Sequence, residues 1–153
     1  MEYKQMTLAV VVKDDQILLG LKKRGFGQGK WNGFGGKVAV GESAEEAASR
    51  ELTEESGLHA SHLRKVGDIV FHNSETEHHR VEIYSVDSYT GEIKENDEME
   101  PRWFRFDEIP YESMWEDDRH WLPLFLAGES FEGEFFFEAG KLVSNTLRVC
   151  APF

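Results

Sequence analysis

The chain has 153 residues, a length that predicts one domain, 1–153, with a sizeable core. Its 29 Asp and Glu outnumber 17 Lys and Arg, and the formal charge of -12 argues against a broad basic surface for a nucleic-acid polymer. A single cysteine, Cys150, excludes a disulfide within the chain, and 40% apolar residues with 11 Phe, 4 Tyr and 4 Trp exclude a disordered one. No apolar run reaches the roughly 18 residues of a membrane span. The opening MEYKQMTLAVVV is too short and too weakly basic for a secretory signal. The expectation is a soluble, cytoplasmic, monomeric protein with no membrane partner.

In chain order, residues 5–12 and 16–21 are apolar and β-branched and predict a hairpin turned at Lys13-Asp14-Asp15. Residues 24–36, RGFGQGKWNGFGG, hold six glycines. Such density forbids a stable helix but lets backbone come close to other groups, while Phe26, Trp31 and Phe34 want cover. Residues 43–57 read as a helix, with Ser43 and Glu46 as a capping box, Ala44, Ala47, Ala48 and Leu52 as the apolar stripe, and Gly57 as the stop. Strands are expected at 64–72, 79–89 and 101–106, and a short helix at 118–127. A closing hairpin, 131–137 with 141–149, turns at Ala139-Gly140. The sum is a mixed sheet with one or two packed helices.

The helix 43–57 carries the chemistry. Glu51 and Glu54 are three residues apart, and Glu51 and Glu55 four, so all three carboxylates project from one side. At that spacing they repel unless cations neutralise them, and hard divalent ions with oxygen ligands suit the site. Arg50 can reach Glu54 across one turn and hold a carboxylate in place.

Gly36, Glu42, Arg50-Glu51-Leu52, Glu54-Glu55 and Gly57-Leu58 stand at the fixed intervals of the Nudix box, and the chain resembles a Nudix hydrolase. The resemblance implies an α+β fold, a mixed sheet between helices in an α/β/α sandwich. It also implies Mg²⁺ or Mn²⁺ and hydrolysis of a nucleoside diphosphate linked to another group. It casts Glu51, Glu54 and Glu55 as metal ligands, joined by the Gly36 carbonyl, with Arg50 orienting the box. The segments LLGLKKRGFGQGKWNGFGGKV, NDEMEPRWFRFDEIPYESMWEDDRHWLP and FEGEFFF are similar to the animal-type members of that family, which act on oxidised purine nucleoside triphosphates. This implies a base pocket of Asn32, Asp117 and Asp118 walled by Trp115. Thr7, Lys22, Phe26, Phe71, Met99 and Trp121 match further pocket or phosphate-side positions, and Glu98 an acid beside the metals. Trp121 has a competing reading as core packing, and Phe26 as a loop anchor.

The residue types fit that pocket. Two adjacent carboxyls in an aromatic environment push one pKa up, and a protonated acid donates as well as accepts. Asn32 offers a donor and an acceptor, and Trp115 a flat apolar face. The expected partner is a small molecule, a modified purine nucleoside triphosphate such as 8-oxo-dGTP or 2-hydroxy-dATP. It would be cleaved to a monophosphate and pyrophosphate, with Glu54 or Glu98 as the general base. Three departures bear on preference: Asn73 replaces an aromatic, the loop 73–79 is one residue short, and His79 stands where a methionine is expected. His72, His78 and His79 lie in a polar strand-and-loop region and are not read as a metal site. Alternatives are a Nudix pyrophosphatase for methylated purine triphosphates or dinucleoside polyphosphates, and a non-catalytic nucleotide-binding protein.

Overall fold

A computed structural model describes residues 3–73 and 78–153. Strands β1 (Tyr3–Lys13) and β2 (Gln16–Lys22) form the first hairpin, closed at Lys13 opposite Gln16. The turn puts Asp14 at φ 57°, a left-handed conformation that a short polar side chain tolerates. The glycine-rich segment then yields two strands that its composition did not announce, β3 (Trp31–Asn32) and β4 (Phe34–Lys37). β4 runs antiparallel to the first half of β1, with Thr7 opposite Gly36 and Leu8 opposite Gly35. A Cβ on Gly35 would fall inside the Thr7 carbonyl oxygen, so only glycine lets these backbones meet.

Helix α1 (Ala44–Ser56) has the reciprocal cap read from the sequence. Ser43 Oγ accepts the Glu46 N–H at 3.1 Å, and Glu46 Oε1 accepts the Ser43 N–H at 3.0 Å. Gly57 ends the helix at φ 87°. β5 (His59–Asn73) starts five residues earlier than expected. Its polar beginning, His59 to His62, hides the alternation, and irregular register against β6 (His78–Thr90) disrupts it further. β7 (Met99–Arg105) pairs with β2 along its length and starts at Met99 rather than Pro101, followed by 3₁₀ turns at Phe106–Glu108 and Tyr111–Ser113. Helix α2 (Asp118–Leu126) follows. β8 (Ser130–Glu138) and β9 (Lys141–Cys150) close the fold through Ala139-Gly140, both at positive φ.

The strands make one mixed sheet in the order β3-β2-β1-β6-β5-β8-β9, with β4 also on β1 and β7 also on β2. β1–β6 and β5–β8 are parallel, and the other pairs antiparallel. Each face has its own core. Ala9, Val11, Leu18, Phe34, Ala48, Leu52 and Val86 pack under α1. Val10, Ile69, Ile83, Trp121, Leu122, Phe131 and Phe135 pack under α2. This is the expected sheet between helices. Among the described residues, no helix is long and apolar enough to cross a membrane.

Gly35→Ala should shift the urea unfolding midpoint down by the equivalent of about 3 kcal/mol, because the new methyl group must displace β1 backbone. An unchanged midpoint would show that β4 can move aside without loss.

Candidate active site

The acidic helix meets the sheet through backbone. Gly35 N–H donates to Glu55 Oε1 at 2.9 Å, and a Cβ on Gly36 would lie 2.7 Å from Glu51 Oε1. Two carboxylates are thus pressed against β4 where no side chain intervenes. Burial pushes the Glu55 carboxyl up to about 8, reinforced by the charge on Glu51 and opposed by the Gly35 N–H and Lys22. Burial raises Glu51 also, against the pull of Arg50.

Arg50 knits the preceding loop to the helix. Its Nε and Nη2 grip both oxygens of Glu42 at 2.8 and 3.0 Å. Nη1 donates to Glu51 Oε1 at 3.0 Å and reaches Glu54 at 3.3 Å, and Nη2 also donates to the Lys37 carbonyl. The two hydrogen bonds from Arg50 lower the Glu42 carboxyl to about 2. Glu98 comes from the loop before β7, and Arg24 Nη2 lies 3.4 Å from its Oε1. Asn96, which the sequence did not single out, fixes that loop. Its Nδ2 donates to the Glu55 carbonyl, and its Oδ1 accepts the N–H groups of Glu98 and Met99.

Among the described residues, no three acidic, histidine or cysteine side chains converge as a ready cage. Glu51 and Glu54 turn toward Arg50, Glu55 toward Gly35 and Glu98 toward Arg24. The donor set still fits a hard divalent cation: half-buried oxygen ligands at Glu51 and Glu55 whose ionisation is disfavoured, beside a glycine whose missing side chain leaves room at Glu51.

The second half of the site gathers around Trp115. Phe26 stacks on its ring with centroids 5.1 Å apart, and Gly27 lies against the same indole. Phe26 is otherwise 86% exposed, so Trp115 is its cover. The Asp118 N–H donates to the Trp115 carbonyl at 3.1 Å. Asp117 and Asp118 are both buried, not a cap with an exposed acid. Burial raises both carboxyls, and the charge on Asp117 adds to the rise at Asp118. Asp117 Oδ2 accepts the Trp121 indole N–H at 2.8 Å, whereas Asp118 Oδ2 is buried with no partner in the protein.

Other candidates have different surroundings. Trp121 is 3% exposed and stacks on Phe131, so it packs the core while bracing Asp117. Met99 is buried in the α1-side core and lies against Gly20. Asn32 Oδ1 accepts its neighbour's N–H, Gly33, at 2.8 Å, which leaves one lone pair of that oxygen for a base. The buried Thr7 Oγ1 has no partner. Lys22 connects the two halves: its charge acts on Glu55, and its N–H donates to the Lys30 carbonyl. Phe71 stacks on Phe135 and lies 6.3 Å from Phe137, which the sequence reading passed over despite its alternation with Phe135. Asn73 is partly buried and pairs with Phe137, rather than standing free in a loop. His79 lies directly across from Phe71 on the neighbouring strand, so the two side chains share a face. The shortened loop falls mostly on 74–77, outside the described residues.

A family model, the NUDIX domain, matches residues 3–125, and the chain belongs to the Nudix family. It is 52% identical over 141 residues to a zebrafish (Danio rerio) oxidized purine nucleoside triphosphate hydrolase, covering 92% of this chain and 90% of that one. Identity to the mouse (Mus musculus) protein of the same name is 49% over 149 residues, 96% of each chain. A crystal structure of a MutT protein from Bacillus halodurans superposes with a TM-score of 0.82 at 26% identity, covering 94% of this chain and 97% of that one.

The Glu55 carboxyl has a testable linkage. Its folded value near 8 lies above the ordinary 4.5, so the folded state keeps a proton that the unfolded chain releases. The stabilisation is complete below about pH 4.5 and is lost as pH rises through 8. In EDTA, Glu55→Gln should remove about 3 kcal/mol of the decline in unfolding free energy between pH 5 and 8. Parallel curves for variant and wild type would show that Glu55 does not titrate there.

Proposed function

We propose that this protein hydrolyses oxidised purine nucleoside triphosphates, 8-oxo-dGTP and 2-hydroxy-dATP among them, to the monophosphate and pyrophosphate, which keeps damaged nucleotides out of DNA synthesis. The observation that carries this reading is the buried Asp117–Asp118 pair in the turn that follows Trp115, with Asp118 Oδ2 unpartnered. Such a pair shares a proton and presents both a donor and an acceptor to a purine edge. The two vertebrate relatives, matched nearly end to end, support the same substrate class and a single domain over 1–153.

Glu51, Glu54, Glu55 and Glu98, with the Gly36 carbonyl, would hold Mg²⁺, or Mn²⁺ in its place. When bound, the cation neutralises phosphate oxygens and lowers the pKa of a water. Arg50 holds Glu51 and Glu54 in position, and Lys22 adds positive charge at the phosphate side. Attack of water on a phosphorus of the α–β anhydride breaks the P–O bond to the leaving phosphate. The proton of the water passes to Glu54 or Glu98. Asn32, Asp117, Asp118, Trp115 and Phe26 hold the base, with Phe71 and Asn73 on its flank.

The replacement of an aromatic by Asn73, with His79 across from Phe71, favours a second reading in which methylated purine triphosphates are also accepted. The test is pyrophosphate release with Mg²⁺ across 8-oxo-dGTP, 2-hydroxy-dATP, a methylated purine triphosphate, unmodified dGTP and diadenosine tetraphosphate. The oxidised nucleotides should have the highest kcat/KM. Preference for the dinucleotide would overturn the proposal, and absence of release from all five would leave a non-catalytic binder. Glu55→Gln should lower turnover of the best substrate by at least about 100-fold. Near wild-type turnover would remove Glu55 from the machinery.

A further inference from the structure

Lys30 ends the glycine-rich loop, two residues before Asn32. Three backbone hydrogen bonds fix it: Lys30 N–H to the Gly27 carbonyl at 3.0 Å, Gly29 N–H to Lys22 at 2.9 Å, and Lys22 N–H to the Lys30 carbonyl at 3.1 Å. This anchoring delivers the ammonium over the Trp115 ring, 5.0 Å from its centroid. The backbone carbonyl of Trp115 accepts the Asp118 N–H at 3.1 Å, so the residue whose ring bears the ammonium sits in the same tight turn as the buried Asp118.

The two aspartates are not equivalent within it. Asp117 Oδ2 has the Trp121 indole N–H, a donor that favours its ionised form. Asp118 Oδ2 has no protein partner, and the carboxyl is 2% exposed. The charged and titratable groups that bear on the pair are Lys30 from the loop, Tyr111 from the 3₁₀ turn, and Glu116 and His120 from the segment that carries the pair. Lys30 is the cation acting on Asp118, and it opposes the effects of burial and of Asp117.

We propose that Lys30 is a selectivity-determining residue: its ammonium, held on Trp115, sets how the proton is shared between Asp117 and Asp118, and hence which purine edge the pocket accepts. The inference rests on the base-reading role proposed above. At position 6, an oxidised guanine presents a carbonyl that needs a donor, whereas an oxidised adenine presents an amino group that needs an acceptor. The positive charge favours the ionised pair and thus the 6-amino edge. Without it, the protonated pair persists to higher pH and favours the 6-oxo edge. As a positioning residue, Lys30 acts through the aspartates and needs no contact with the reacting phosphate.

The experiment compares wild type with Lys30→Gln, Lys30→Met and Lys30→Arg. It measures kcat/KM for 8-oxo-dGTP and 2-hydroxy-dATP from pH 6 to 9. Loss of the charge should raise the ratio of 8-oxo-dGTP to 2-hydroxy-dATP at least about threefold. It should also move the alkaline limb for 8-oxo-dGTP upward by about half a pH unit or more. Lys30→Arg should restore both. Lys30→Met, matched in reach and uncharged, covers a loop disturbance peculiar to glutamine. A ratio within about twofold of wild type with an unmoved limb would overturn the proposal, as would an equal loss on both substrates. Wild type that cleaves neither nucleotide would instead refute the substrate reading itself.

Discussion

The close contact between β4 and α1 is the constraint on which the site depends. Gly35 and Gly36 present bare backbone on both sides: Thr7 of β1 approaches one, and Glu51 and Glu55 of the helix approach the other. A side chain at Gly36 would displace the Glu51 carboxylate from its place against the strand. The contact accounts for the burial of Glu55 and Glu51, and burial in turn makes both poor anions until a cation arrives. The Arg50 fork completes the arrangement by tying the loop at Glu42 to the turn that carries Glu51 and Glu54. Packing at two glycines thus sets the electrostatics of a helix.

The net charge of -12 opposes a polyphosphate everywhere except where cations are concentrated. Lys22 and Lys30 supply fixed positive charge along the line from the acidic helix to Trp115. They belong to the strand end and loop that β3 and β7 hold in place. Lys22, at the end of β2, acts on Glu55, while Lys30 lies over the Trp115 ring. The loop's glycines permit the turns, with Gly25, Gly27 and Gly29 all at positive φ.

Local signals in the sequence located most of the frame. The capping box at Ser43 and Glu46, the stop at Gly57 and the turns at Asp14 and Ala139-Gly140 are encoded within a few residues, and the structure has each of them. The carboxylate helix was legible for the same reason. What escaped depended on distant partners. β3 and β4 are too short and glycine-rich to signal themselves, and exist because β2 and β1 provide edges. Trp121 could be read as pocket or core, and only the stacked Phe131, ten residues on, decides for core. Asn96 gave no signal, since an asparagine in an acidic loop does not reveal that it grips the end of α1. Lys30 was equally silent, because its surroundings come from Trp115, 85 residues further along the chain.

The parallel pairing of β1 with β6 also determines how the chain can assemble. Tyr3 aligns with His78 and Val11 with Val86, so this ladder joins segments some 75 residues apart. The hairpins β1–β2, β5–β6 and β8–β9 close short loops and can form early at little entropic cost. The β1–β6 and β5–β8 ladders must wait until separate hairpins meet, which is the slow kind of event in folding. Thr7 and Gly36 lie on one side of that seam, while Phe71 and Asn73 lie on the far side of β6. The proposed site residues on β1 and β4 and those on β5 therefore sit on different strand units and come together only when the central ladder zips, so the site is completed late in folding, with global structure.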